Sequence, residues 1–363
     1  MDPFAFIIHP IDVRKDVARK YPVLGLLPVP AIEWLLKRRS PLPVAEISGV
    51  RSLTGAETHG WLIGCPLSPR QFNALPLDFV YHRLEQCGRI AEELGARIIG
   101  LGAFTSVVGD GGITLAKRLN IAVTTGNSYT IATAVDGARK AAEQMGIDIR
   151  SAVIAIVGAS GSIGATCALL LGRSAGEIVL IGRSVDRLEH VRSMVASSAP
   201  ARVSVTTQIS EGLKRADVVI AVSSATEAII MPSDLKPGSV VCDVARPRDV
   251  SIRVARERED VLVIEGGVVR VPGEMQCRKY GGDAAFSFGF PPGTAYACMS
   301  ETMGLALEGR YESYTLGKDV TVRQADEING ICTRHGFALD GFRSFEHAVD
   351  EAHIARVRRR AGR

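Results

Sequence analysis

Five apolar residues, Val153-Ile-Ala-Ile-Val157, run directly into Gly158-Ala-Ser-Gly161-Ser-Ile-Gly164, and this junction constrains the fold more than any other feature of the chain. Residues 151–172 carry no charge, and as one helix rising about 1.5 Å per residue they are long enough to cross a bilayer. The glycines oppose that reading, because with Ser160 and Ser162 they break the run into a strand, a loop and a helix. Gly158 permits the turn, Gly161 lets backbone approach a pyrophosphate, Gly164 lets helix pack on strand, and the first-turn N–H groups receive the charge. The loop from Gly158 through Ser160, Gly161, Ser162 and Ile163 to Gly164 is therefore the candidate dinucleotide site. The alternative is a tight turn that holds no ligand.

The pattern around this junction is regular. Val153–Val157, Glu177–Ile181, Val203–Thr207, Val218–Val222, Val240–Val244 and Val261–Ile264 read as six short strands with helical or turn segments between most of them, which is the rhythm of a doubly wound, Rossmann-type parallel sheet. Ahead of it, strands at Phe4–Ile8, Val44–Val50 and Trp61–Ile63, runs at 97–102 and 121–125, and helices at 31–37 and 79–94 outline a smaller N-terminal α/β domain. Leu84, Cys87, Ile90, Ala91 and Leu94 recur at helical spacing and predict one buried stripe. From Pro291 the chain reads as helical, with 295–307 the clearest piece. The expected division is 1–147 for an N-terminal substrate domain, 148–290 for the nucleotide domain, and 291–363 for a helical C-terminal segment.

With 46% hydrophobic residues, 23% charged residues and 37 glycines against 17 prolines, a disordered or collagenous chain is excluded. A net charge of +4 is too small for a dedicated nucleic-acid binder. Residues 353–363 hold five arginines and no acid, which is either a solvated end or a surface for phosphate, anionic lipid or an acidic protein. The seven cysteines are odd in number and form no Cys-x-x-Cys pair, pointing to a reducing cytoplasm and, with no His-x-x-x-His spacing, to no structural zinc. The start, Met1–Asp12, is not a signal peptide in pattern.

Chemistry concentrates at a few positions. After the second strand of the nucleotide sheet stand Arg183 and Ser184, where an NAD site commonly carries an acid; an arginine there pairs with a 2′-phosphate and favours NADPH, unless it is an unliganded surface residue. Cys298 follows Pro291-Pro292-Gly293-Thr294 near the first turn of a helix, a setting that favours a thiolate; the competing reading is a small buried hydrophobe beside Met299 and Met303. Asn127 and Ser128 open another helix and serve either as caps or as polar groups of a site. His9, after the first strand, is a structural residue or a proton donor, and Glu301 is a lone helix carboxylate of orienting or structural character.

Leu101-Gly-Ala-Phe-Thr-Ser106, Thr124-Thr-Gly-Asn127, Gly146-Ile-Asp-Ile149, the 158–164 loop, Gly266-Gly-Val-Val269, Ala297-Cys-Met-Ser-Glu-Thr-Met303 and Arg334-His-Gly-Phe337 occur in that order. Together, across 96–337, the chain resembles the long-chain acyl-[acyl-carrier-protein] reductases of cyanobacterial type. The resemblance implies NADPH-dependent reduction of a fatty acyl thioester to a fatty aldehyde, with Cys298 as nucleophile and acyl carrier protein or acyl-CoA as donor. The oxyanion of such a reaction needs donors, for which backbone N–H groups around Cys298 and the loop 125–128 are candidates. An acidic carrier would meet a basic cluster, Lys37-Arg38-Arg39 or the arginine tail, and peripheral membrane contact is compatible with either.

Three readings compete. A shikimate- or quinate-type dehydrogenase shares the two-domain layout and glycine loop but reduces a ketone without covalent attachment. A glutamyl-tRNA reductase also uses a cysteine thioester, although from its N-terminal domain, and a non-enzymatic NADP sensor would bind without turnover.

Overall fold

The structure, a computed structural model, describes residues 3–20, 22–287 and 291–363. The chain forms two compact units, each assembled from separate stretches of sequence: 1–127, 270–319 and 330–338 in one, 128–269, 320–329 and 339–363 in the other. These units differ from the three consecutive blocks expected at 147/148 and 290/291, and the second of those boundaries falls partly outside the described residues. The physical reason is strand pairing: Gly273–Lys279 returns to the first unit and lies antiparallel against Leu42–Arg51.

The second unit is built on a six-stranded sheet, parallel throughout, in the order Arg202–Thr206, Glu177–Ile181, Val153–Val157, Val218–Ala221, Val240–Asp243, Leu262–Glu265. This is the doubly wound order, and its direction reverses between Val153–Val157 and Val218–Ala221. Alternation along each strand fills both faces. Ile154, Ile156, Ile178, Leu180, Val218 and Ile220 enter one core, while Ala155, Val157, Val179, Ile181, Val219 and Ala221 enter another.

The first unit carries a mixed sheet in the order Gly273–Lys279, Leu42–Arg51, Glu57–Gly64, Phe4–Ile8, Ile98–Gly100, Ala122–Thr124, the last four parallel. Helix Leu77–Glu93 covers it with Leu84, Cys87 and Ala91 buried and Ile90 and Leu94 partly so, as the helical spacing predicts. Among the described residues, no helix is long and apolar enough to cross a membrane, and 162–172 is instead an 11-residue helix.

The arginine-rich end folds as helix Glu351–Arg360, seated in the second unit through Ile354 and Val357. Arg360 pairs with Glu259 at 3.1 Å and Arg363 with Asp217 at 3.6 Å. The preceding hairpin, Phe342–Ser344 with His347–Val349, is tied to the sheet by Glu265 at the end of its strand. Glu265 meets Arg248 at 2.6 Å, Arg343 at 3.7 Å and Arg246 at 4.0 Å, and accepts the Glu346 N–H at 2.9 Å.

Burial works to raise the Glu265 pKa, but the surrounding guanidinium groups and hydrogen bonds outweigh it and hold the carboxyl below its ordinary range. A depressed folded-state pKa means stability that is present above the unfolded value, near ~4.3, and lost as pH falls below it. Glu265→Gln leaves buried guanidiniums without their counter-ion and is expected to cost about 3 kcal/mol. Urea unfolding at pH 7 measures that loss, and the gap between variant and wild type should narrow in acid.

Candidate active site

In the second unit, strand Val153–Val157 ends at Gly158, whose φ of +85° is the left-handed region that glycine enters at low cost. A Cβ there would sit 2.9 Å from the backbone of Ser223, in the loop beyond the neighbouring strand, so the turn lies at the point where the strand order reverses. Asp249 fixes that loop, accepting the Ser223 N–H at 2.8 Å and its hydroxyl at 2.6 Å. Gly161 immediately precedes helix Ser162–Gly172, and a Cβ on Gly164 would overlap the Gly158 carbonyl. The first-turn N–H groups of Ser162, Ile163 and Gly164 have no acceptor inside the helix. A bare-backbone turn leading into a helix N-terminus fits a pyrophosphate.

Ser160 joins this turn to the end of the next strand, its Oγ lying 3.4 Å from where a Gly182 side chain would begin. Arg183 follows and is exposed. Ser184 caps helix Val185–Ser198, accepting the Arg187 N–H. Strand-end geometry thus brings the glycine loop, Ser160, Arg183 and Ser184 to the carboxyl end of the sheet.

In the first unit, Cys298 is the second residue of helix Ala297–Leu307 and is half-buried. The helix lies directly on the sheet's parallel half: a Cβ on Gly100 would overlap the Thr302 hydroxyl, which donates to the Cys298 carbonyl at 3.3 Å. The Cys298 Sγ lies 3.7 Å from where a Gly102 side chain would begin. Gly126, with φ of +74°, is pressed so closely on Cys298 that a Cβ would overlap its Cα and Cβ. The thiol therefore stands at a helix N-terminus, beside Gly102 and Gly126 of two strand-end loops, and the loop residue Ala103 is itself left-handed at φ 49°.

Glu301, one turn on, is fully buried and accepts hydroxyl hydrogens from Thr124 at 2.5 Å and Thr315 at 3.1 Å. It binds the Cys298 helix to the end of strand Ala122–Thr124. Asn127 is the first residue of helix Asn127–Gln144 and Ser128 the second; both are buried. Asn127 adjoins Gly126 and so the Cys298 side of the first unit, whereas Ser128 is counted with the second.

His9 is structural here. Its Nε2 accepts the Phe104 N–H at 3.3 Å, which leaves Nδ1 to donate to the Pro10 carbonyl at 3.2 Å. Burial lowers its pKa to about 4, so the ring is neutral at pH 7.

Sequence reasoning named Cys298 and the 125–128 loop but missed the close packing of Gly126 on Cys298 and the Asp249–Ser223 clasp beneath Gly158. The signal was the glycine of Thr124-Thr-Gly-Asn127, which entered only as part of a motif. Among the described residues no cluster of three or more His, Cys, Asp or Glu is placed to hold a metal.

Residues 139–265 match the shikimate/quinate 5-dehydrogenase family. The chain is 29% identical to the aminotransferase PigE of a Serratia strain, over 98% of this chain and 42% of that one. It is 28% identical to the long-chain acyl-[acyl-carrier-protein] reductase of Synechococcus elongatus, over 82% and 87%. It therefore spans less than half the length of the first of these relatives and most of the second. Among solved structures, one of the dipicolinate synthase subunits from Bacillus halodurans aligns over 72% of this chain and 88% of that one, with 12% identity and a TM-score of 0.34.

A side chain at position 126 has no room. Gly126→Ala is expected to destabilise the protein by more than the ~1 kcal/mol of backbone strain alone and to change the alkylation rate of Cys298. Gly95→Ala is the control, since φ there is +85° with open space around it; equal losses in the two variants would remove the crowding argument.

Proposed function

We propose that this chain is an NADPH-dependent reductase that converts a long-chain fatty acyl thioester, carried on acyl carrier protein or coenzyme A, into a fatty aldehyde through an acyl group held on Cys298. The observation that carries the reading is the half-buried thiol at the start of helix Ala297–Leu307, with Gly126 packed against its backbone. The helix N-terminus favours the thiolate. Its sulfur attacks the acyl carbon, the donor's C–S bond breaks, and the proton given up by Cys298 passes to the departing thiol. A thioester replaces a thioester, and the new one keeps an electrophilic carbonyl. Backbone N–H groups of the helix's first turn suit the oxyanion. Bound cofactor supplies a hydride for that acyl carbon. Cys298 then leaves as thiolate, releasing the aldehyde, and regains a proton from water.

The glycine loop with Arg183 and Ser184 is the proposed cofactor site, and Asn127 and Ser128 the proposed polar residues of catalysis. One relative supports the reading: it is a reductase of long-chain acyl-[acyl-carrier-protein] by name. The family match over 139–265 favours a second reading, non-covalent reduction of a small keto substrate of shikimate or quinate type. Alkylation of Cys298 separates the two, since only the thioester route requires the thiol.

Purified protein with NADPH and an acyl thioester should yield aldehyde and an acyl adduct on the peptide spanning 293–308. Cys298→Ala is expected to bind NADPH as the wild type does while forming neither; aldehyde from that variant would exclude the covalent route. Arg183→Ala should weaken NADPH by about 1.5–3 kcal/mol and leave NADH unchanged, the loss of one charged hydrogen bond. Titration calorimetry with both cofactors makes the comparison.

A further inference from the structure

We propose that the surface carrying Val23, Leu26, Trp34 and Lys37 to Arg39 is a face by which the protein rests on an anionic lipid bilayer. Helix Val13–Lys20, a 3-10 turn Pro22–Leu26 and helix Val29–Arg38 fold around a small core of Val13, Val17 and Ile32. That core leaves apolar side chains outside it. Val23 is 76% exposed, Leu26 84% and Trp34 55%, and the i, i+3 spacing of Val23 and Leu26 in a 3-10 turn puts them on one side.

Charge is concentrated in the same segment. Residues 13–39 hold seven basic residues and two acids, a net of +5, whereas the whole chain carries +4. Both acids are turned to internal use. Asp16 accepts the N–H groups of Ile11 at 2.8 Å and Asp12 at 3.0 Å. Glu33 accepts the Ser68 hydroxyl at 2.6 Å, anchoring the segment to the cap of helix Pro69–Ala74. Lys37, Arg38 and Arg39 stay exposed, and the Arg38 guanidinium lies over the Trp34 ring at 3.6 Å, a cation carried on an exposed aromatic.

Apolar area alone would fit many partners, and positive charge alone would fit any acid. The combination of a tryptophan, aliphatic side chains and a basic cluster, with the local acids consumed, fits the boundary between anionic headgroups and acyl chains. The inference concerns binding and stands apart from the reaction at Cys298.

The full chain should co-sediment with vesicles of phosphatidylcholine plus phosphatidylglycerol, fail to do so with phosphatidylcholine alone, and be released by high salt. Trp61→Phe leaves Trp34 as the one tryptophan, and its emission should shift to the blue on the anionic vesicles. Lys37→Gln with Arg39→Gln should weaken binding roughly 30-fold, at about 1 kcal/mol for each charge, with a melting curve equal to that of the wild type as the folding control. Equal retention on both vesicle types, or none on the anionic ones at low salt, would overturn the proposal. Unshifted Trp34 emission together with capture by an acidic carrier protein would also overturn it and assign the face to that partner.

Discussion

Backbone packed against backbone, with no room for a Cβ, is the constraint on which both candidate sites depend. Gly158 does this against Ser223 in the second unit and Gly126 against Cys298 in the first. In each case a glycine in the left-handed region follows a parallel strand and leads toward a helix, Ser162–Gly172 in the second unit and Asn127–Gln144 in the first. The surrounding sheets make such turns rigid. Strands buried on both faces cannot shift without exposing two cores, so the loop after each strand inherits a fixed starting point.

Each unit is tied internally by a buried carboxylate, and the two carboxylates work by different means. Glu265 is surrounded by guanidinium groups and binds the C-terminal hairpin to the sheet. Glu301 is satisfied by hydroxyls from Thr124 and Thr315. These hydroxyls orient the carboxylate, and through Thr124 Glu301 ties the Cys298 helix to the end of strand Ala122–Thr124.

The nucleotide sheet was legible because a parallel strand covered on both faces must be an unbroken apolar run. Val153–Val157 and Glu177–Ile181 begin and end where the sequence places them. Gly273–Lys279 was not legible. Met275 and Cys277 alternate with Glu274, Gln276 and Arg278 as in a half-buried edge strand, but the run is short and mostly polar, and its partner Leu42–Arg51 lies far away in sequence. Missing it conceals the discontinuous units. The start of the Cys298 helix was readable from local turn chemistry, whereas the approach of Gly126 is a contact between distant segments that no local pattern records.

Ser52, His335 and Glu308 supply the residue types of an acyl-transfer triad, and their geometry shows why residue types alone do not make one. His335 Nε2 meets Glu308 at 2.7 Å, and Nδ1 faces the Ser52 hydroxyl at 2.7 Å. That hydroxyl also accepts the Thr54 N–H at 2.9 Å and pairs with the Thr54 hydroxyl, and Ser52 is 5% exposed. An oxygen so enclosed has no free approach for a carbonyl carbon. The chain has a mechanical use instead. Glu308 immediately follows helix Ala297–Leu307, and it also takes an ion pair from Arg334 at 2.6 Å. His335 and Arg334 thereby hold the far end of the Cys298 helix to the loop at Ser52, while Glu301 and Gly126 hold its near end. Cys298, on a helix fixed at both ends, keeps partial exposure where Ser52 has almost none.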